Sequence, residues 1–468
     1  MLVTESFKCL TYLFNASNNA TQAEGFLRFP LEEKQSVFSY KKVVIMKKTL
    51  AAVAVLGAFA GTALAADVTL YGKIDGGLNY THVSEESQDG AHVSSSNSDD
   101  FTFKSGQNSG SRFGLKGTEQ ITDGLTVGFQ LENGFSVDDG KMGQGDRLFG
   151  REARVYVQTE FGEVGFGRMG GLDSGLGSYD LIAGSSVFGA GWGEYTGSMT
   201  PFFKGKSDRY DNMITYKSPK FAGLTLVAQA SLKKDSGADG EEGTHLADRY
   251  YAVGLGADYG ALKGALTFSM QDYAGFADRY TGSADAGTKL PVDDTNANDS
   301  DGYTVTAFGS YDFGVTKVSL GAQYFDNVAQ ARGSLATSLT YSKDDGELVE
   351  KYGDVSYGMT GYGVILGAIT PIAGGNLYTS LGYADYEASD YKEVEGTAKG
   401  VAYDKADYKV YGVGIGYQYP LSKRTYVYTA ASYTHQTSNA GKYVAADVKA
   451  KDLDTDVTEV MMGLVHNF

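Results

Sequence analysis

Cysteine, proline, tryptophan and histidine are all scarce in this 468-residue chain: one Cys, six Pro, one Trp and five His. The single cysteine, Cys9, lies upstream of an export signal described below, so the exported chain has no thiol and no disulfide to rely on. Its stability must come from the fold alone. Positive charge is also in deficit, with 40 Lys+Arg against 57 Asp+Glu, which argues against nucleic acid as a partner. The histidines are His82, His92, His245, His435 and His466, and no G-x-S-x-G motif occurs. No nucleophile, base and orienter stand together in the sequence, so it does not read as an enzyme, and no cofactor motif is present. What the chain does have is 63 Gly, 34 Tyr and 24 Phe. That many aromatics excludes a disordered chain, and the lack of a three-residue glycine period excludes collagen.

One long apolar run is present, within MKKTLAAVAVLGAFAGTALA (Met46–Ala65). Lys47 and Lys48 open it, Leu50 to Ala60 form its apolar centre, and Ala63-Leu64-Ala65 supplies a small-residue cleavage site, which together describe an export signal. The run is too short for the roughly 20 residues of a spanning helix. Residues 1–45 show no convincing period and precede a signal that works at an N-terminus, so Met46 is the expected start. Residues 66–468 are then one domain. Removing 1–65 takes seven of the 40 basic and four of the 57 acidic residues, leaving 33 against 53 and a formal charge of −20.

Within that domain a two-residue period returns many times. In VTLYGKIDGGLNYT, Val68, Leu70, Ile74, Leu78 and Tyr80 share one face, while Lys73 and Asp75 share the other. LTVGFQLENGF sets Leu125, Val127, Phe129 and Leu131 against Thr126, Gln130 and Glu132, and the chain ends on EVMMGLVHNF with Val460, Met462, Leu464 and Phe468 in one row. Such strands meet oil on one side and water on the other. Short links such as QITDG, EFGE, DYGALKG and DFGV alternate with long polar stretches, including Val83–Asn108, Lys233–Asp248, Ala274–Asp301, Asp326–Gly358, Glu387–Asp407 and Thr437–Asp456. The pattern predicts an all-β, transmembrane, antiparallel up-and-down barrel of about 16 strands, each of roughly ten residues, with short periplasmic turns and long external loops. Lipid leaves no partner for an open sheet edge, so the barrel must close.

SRFGLKGTE (Ser111–Glu119), FQLENGF (Phe129–Phe135), EFGEVGFGR (Glu160–Arg168), DNMITYKSPKFAG (Asp211–Gly223), YPLSKRTYVY (Tyr419–Tyr428) and GLVHNF (Gly463–Phe468) run in this order. In these stretches the chain resembles the trimeric general porins of Gram-negative bacteria, of the neisserial and betaproteobacterial type. The resemblance implies a homotrimer in the outer membrane, among lipid and lipopolysaccharide. It also implies a third external loop folded into the lumen, and a Phe468-ending strand read by the barrel assembly machinery. The function it implies is passive diffusion of ions and small hydrophilic solutes. A solute-specific channel, or a surface adhesin or structural barrel using its long loops, is the alternative.

The expected inward loop spans about residues 170–208 and carries the acids Asp173, Asp180 and Glu194. It is rich in Gly, Ser and aromatics, as close approach to a barrel wall requires. Opposite it the expected basic side of the constriction is Lys73, Arg112, Lys116, Arg151, Arg168 and Arg209. Arg112 and Lys116 are placed in the lumen because Phe113 and Leu115 take the other face. The parity of FGREARVYV leaves Arg151 and Arg154 as alternatives. A basic row facing an acidic loop would impose a transverse field on passing solutes. The sign of the selectivity stays open at this level, as do solute range, pore radius and trimer contacts, and no metal site is expected.

Overall fold

The computed structural model describes residues 68–89, 92–196, 200–205, 209–236, 242–244, 247–273, 301–328, 358–388, 407–439 and 451–468. Residues 1–67, with the expected export signal, Asp208 and large parts of the long polar loops lie outside the described residues. Seventeen strand segments follow in chain order: β1 (Thr69–Asp89), β2 (His92–Ser105), β3 (Arg112–Thr122), β4 (Leu125–Gly134), β5 (Glu152–Thr159) and β6 (Gly162–Met169). Then come β7 (Tyr210–Lys217), β8 (Leu224–Ser231), β9 (Arg249–Tyr259), β10 (Leu262–Asp272), β11 (Gly302–Asp312) and β12 (Lys317–Val328). The last are β13 (Met359–Ile372), β14 (Gly375–Ala388), β15 (Asp407–Pro420), β16 (Thr425–Asn439) and β17 (Lys451–Asn467).

From β3 to β17 each strand pairs antiparallel with the next, and β17 pairs back onto β1 from Lys73↔Asn467 to Asp89↔Lys451. That seam closes the sheet. The Phe468 backbone continues it, exchanging two 3.0 Å hydrogen bonds with Gly72, and the Phe468 ring lies over Gly72. Seventeen segments make only sixteen staves. Gly76↔Ser105 and Lys73↔Arg112 place β2 and β3 end to end along the same edge of β1, so they are one stave broken at residues 106–111.

The alternation follows its solvents. On β1, Leu70, Ile74, Leu78 and Tyr80 are exposed on the outer face while Asp75 and Asn79 are buried inside. On β17, Val460, Met462, Leu464 and Phe468 are exposed, and Val457, Glu459, Met461 and Val465 are buried. Period two therefore separates an apolar exterior from a lined interior around the whole wall. The polar stretch Val83–Asn108, expected as a loop, is instead the upper half of a hairpin. β1 runs to Asp89 and β2 returns from His92, with Ser84↔Asn97 and Glu86↔Ser95 in register.

Candidate functional site

The chain leaves β6 at Met169 and rejoins the wall at Tyr210. Between them it crosses the barrel interior and packs against strands far away in sequence. Ile182, Phe202 and Phe203 join Phe325 of β12, Ile365 of β13 and Tyr386 of β14 in one buried cluster. Phe188 and Trp192 pack edge to face at 5.4 Å, and Trp192 meets Tyr378 of β14 at 5.0 Å and Tyr428 of β16 at 5.6 Å. Each buried ring of this kind contributes roughly 1.5–3 kcal/mol. The wall makes room with inward-facing glycines: a Cβ on Gly363 or Gly382 would strike Phe202, one on Gly412 would crowd it, and one on Gly321 would strike Ser185.

Polar staples fix both halves of the segment. Asp173, only 1% exposed, accepts from the Tyr250 hydroxyl of β9 at 2.6 Å and from the Thr304 hydroxyl of β11 at 3.2 Å. Glu459 of β17, equally buried, accepts from Asn79, from the Tyr195 backbone N–H and from the Thr196 hydroxyl. Asp180 accepts backbone N–H groups of Gly175, Ile182 and Ala183 at 2.8, 3.2 and 2.8 Å. Burial pushes its carboxyl up to about 6, against the pull of those three donors. Of the three expected loop acids, Glu194 is exposed, whereas Asp173 and Asp180 spend their oxygens holding the segment in place.

The cations gather on the inner face of β1 and β3 and at the mouth of β5. Lys73 Nζ donates to Ser109 Oγ at 3.2 Å, and an Arg112 terminal nitrogen donates to the same oxygen at 2.7 Å. Arg151 donates from Nε to Glu132 of β4 at 2.6 Å, with Arg112 at 3.7 Å from the same carboxylate. Arg209 donates to the Arg151 carbonyl at 2.7 Å. Lys116 is exposed on the inner row, its ammonium 5.4 Å from the centre of the Tyr71 ring. Arg154 also points inward, paired with Glu152 at 3.0 Å and Glu163 at 2.8 Å and bonded to the loop's Tyr179 hydroxyl at 2.7 Å.

Arg168 stands apart. It pairs across the strand with Ala153, on the outward row of β5, and the register slips between Gly167 and Met169. Its guanidinium meets Asp211 at 2.5 Å, beside Arg147 at 3.1 Å from the same carboxylate. Arg147 also reaches Asp235 at 2.9 Å. This group ties the 135–151 connection to the rim and is separate from the Arg112–Arg151 cluster.

Glu132, Glu152, Glu163 and Glu459 were not singled out from sequence. The signal for Glu132 was readable, since it shares the polar row of LTVGFQLENGF with Gln130. Glu459 stands immediately before the apolar run Val460–Val465 of β17, on the row of Met461 and Val465. Among the described residues no group of three or more His, Cys, Asp or Glu is arranged to hold a metal ion.

A family model described as Gram-negative porin matches residues 51–439. An outer membrane porin protein of Bordetella pertussis is 33% identical over 408 residues, covering 83% of this chain and 94% of its own. Outer membrane porin protein 32 of Delftia acidovorans is 29% identical over 390 residues, covering 82% and 88%. Among solved structures, the anion-selective porin from Comamonas acidovorans matches with a TM-score of 0.52 and 23% identity, over 86% of this chain and 100% of that one. At that identity the likeness is one of fold.

Proposed function

This chain belongs to the family of Gram-negative porins and is an outer-membrane channel, and we propose that it passes ions and small hydrophilic solutes by diffusion with a weak preference for anions. The observation that carries the preference is the charge on one arc of the inner wall. Lys73, Arg112, Lys116, Arg151, Arg154 and Arg209 stand with Asp75, Glu132, Glu152 and Glu163, six cations to four carboxylates. The segment opposite offsets little of this, because Asp173 and Asp180 are turned into the wall and the turn. A fixed excess of donors around the lumen lowers the barrier for anions, and the solved structure of similar fold carries the description anion-selective.

The active form in this reading is a homotrimer of residues 66–468, set among lipid and lipopolysaccharide and inserted by the barrel assembly machinery through its Phe468-ending strand. No catalytic step belongs to it. The His82–Asp99 and His435–Asp456 pairs face outward, and in each a tyrosine hydroxyl donates to the same carboxylate.

The test is planar-bilayer conductance of the refolded chain from Ala66 across a KCl gradient. Conductance steps grouped in threes and a reversal potential of anion-selective sign are expected. Folded protein that inserts and stays silent would refute the diffusion reading, and a cation-selective sign would refute the role of the basic arc.

A further inference from the structure

Ser105 pairs with Gly76, and Arg112 pairs with Lys73. On β1 only Ile74 and Asp75 lie between those partners, whereas on the other stave six residues, 106–111, must fit. Four residues are surplus, and a sheet holds them only by expelling them from its plane. Gly106 begins the departure at φ +73°, a region that strains any other residue type. The direction is inward. Asn108 and Ser109 donate their backbone N–H groups to the buried Asp75 carboxylate at 2.7 and 2.8 Å, and Tyr426 of β16 donates to Asn108 Oδ1 at 2.8 Å. The Gln107 carbonyl then accepts the Gly193 N–H of the inward loop at 2.8 Å.

We propose that this strand break is a second constriction element, and that Ser109 at its tip is a positioning residue for ion selectivity. Its hydroxyl is the one oxygen on which Lys73 Nζ and Arg112 converge. Two like charges held on a neutral oxygen form a focus that neither side chain would keep alone, since long cationic side chains otherwise spread over several rotamers. The Ser109 backbone is in turn locked to Asp75, so the focus has a fixed place in the wall. The break also bears on the loop through Gln107 and Gly193, so both inward segments meet where the cations are held. The inference rests on the proposed role of the basic arc.

The experiment compares reversal potentials and single-channel conductance of Ser109→Ala, Ser109→Thr and Ser109→Asp, with Arg112→Gln as control. Heat-modifiable migration on gels verifies folding of each. Ser109→Thr keeps the hydroxyl and should behave as wild type. Ser109→Ala should lower the anion-to-cation permeability ratio, and Ser109→Asp should lower it several-fold by placing a carboxylate between the two cations. A merely structural role would not order the three variants by hydroxyl and charge. If Arg112→Gln shifts the ratio and all three Ser109 variants match wild type, Ser109 has no positioning role and the proposal falls alone. If Arg112→Gln leaves the ratio unchanged too, the basic-arc reading falls with it.

Discussion

Asp180 shows how one side chain can make a loop's shape depend on pH. It sits just before the 3-10 turn Ala183–Ser185 and accepts backbone N–H groups from both sides of itself, Gly175 before it and Ile182 and Ala183 after it. Its ordinary value is 3.8, and burial raises it to about 6. The folded state therefore holds this proton more tightly than the unfolded chain does. The resulting stability is fully present below about pH 4 and is lost as pH rises through about 6. Amide exchange at Ala183, corrected for its intrinsic pH dependence, should show protection falling over that window. Asp180→Asn should flatten the profile. A wild-type profile already flat between pH 4 and 7 would remove Asp180 from any control of the segment.

At the scale of elements, the inward segment is held by a match between large rings in the loop and glycines in the wall. The buried Phe202 ring lies over Gly382 of β14 and beside Gly412 of β15, while its carbonyl lies over Gly363 of β13. Gly382→Leu should push the segment off the wall into the lumen, lowering open-channel conductance. Phe202→Ala removes the ring at a cost of about 3–5 kcal/mol and should increase gating noise. The double variant should recover part of the wild-type conductance, because the new leucine occupies the vacated space. Two independent losses that simply add would refute the size match.

This division of labour explains which parts of the fold were legible in the sequence. The outward rows were readable because lipid accepts only apolar side chains, as with Leu70, Ile74 and Leu78. β2 was not, because HVSSSNSDD carries no apolar alternation, and its ordinary apolar signal begins only at Phe101 and Phe103. Arg168 could not be placed by counting, since the register slips at its own position. Asp173 reads as an exposed loop acid until Tyr250 and Thr304 arrive from strands 77 and 131 residues away. Glu132 needed no distant partner, and parity alone placed it opposite Leu131.

The whole barrel has a low side and a tall side. β5, β6, β7 and β8 are eight residues each. β13, β14 and β15 are 14 residues each, β16 has 15, β17 has 17 and β1 has 21. A tilted strand needs about 9–11 residues to cross the hydrocarbon layer, so the low arc falls short of what lipid demands and the tall arc exceeds it. An arc too short for lipid, with Val155, Phe166 and Ile214 exposed on its outer face, is suited to contact other copies of the barrel. The proposed trimer should therefore join through β5–β8. Val155→Arg, on the low arc, should yield folded monomers in native electrophoresis and analytical ultracentrifugation. Ile415→Arg, on the outer face of β15, should cost about 2–4 kcal/mol of insertion stability if it lies near the bilayer midplane and leave the oligomer intact. If Val155→Arg stays trimeric while Ile415→Arg dissociates, the interface lies on the tall arc, and strand length has been read for the wrong neighbour.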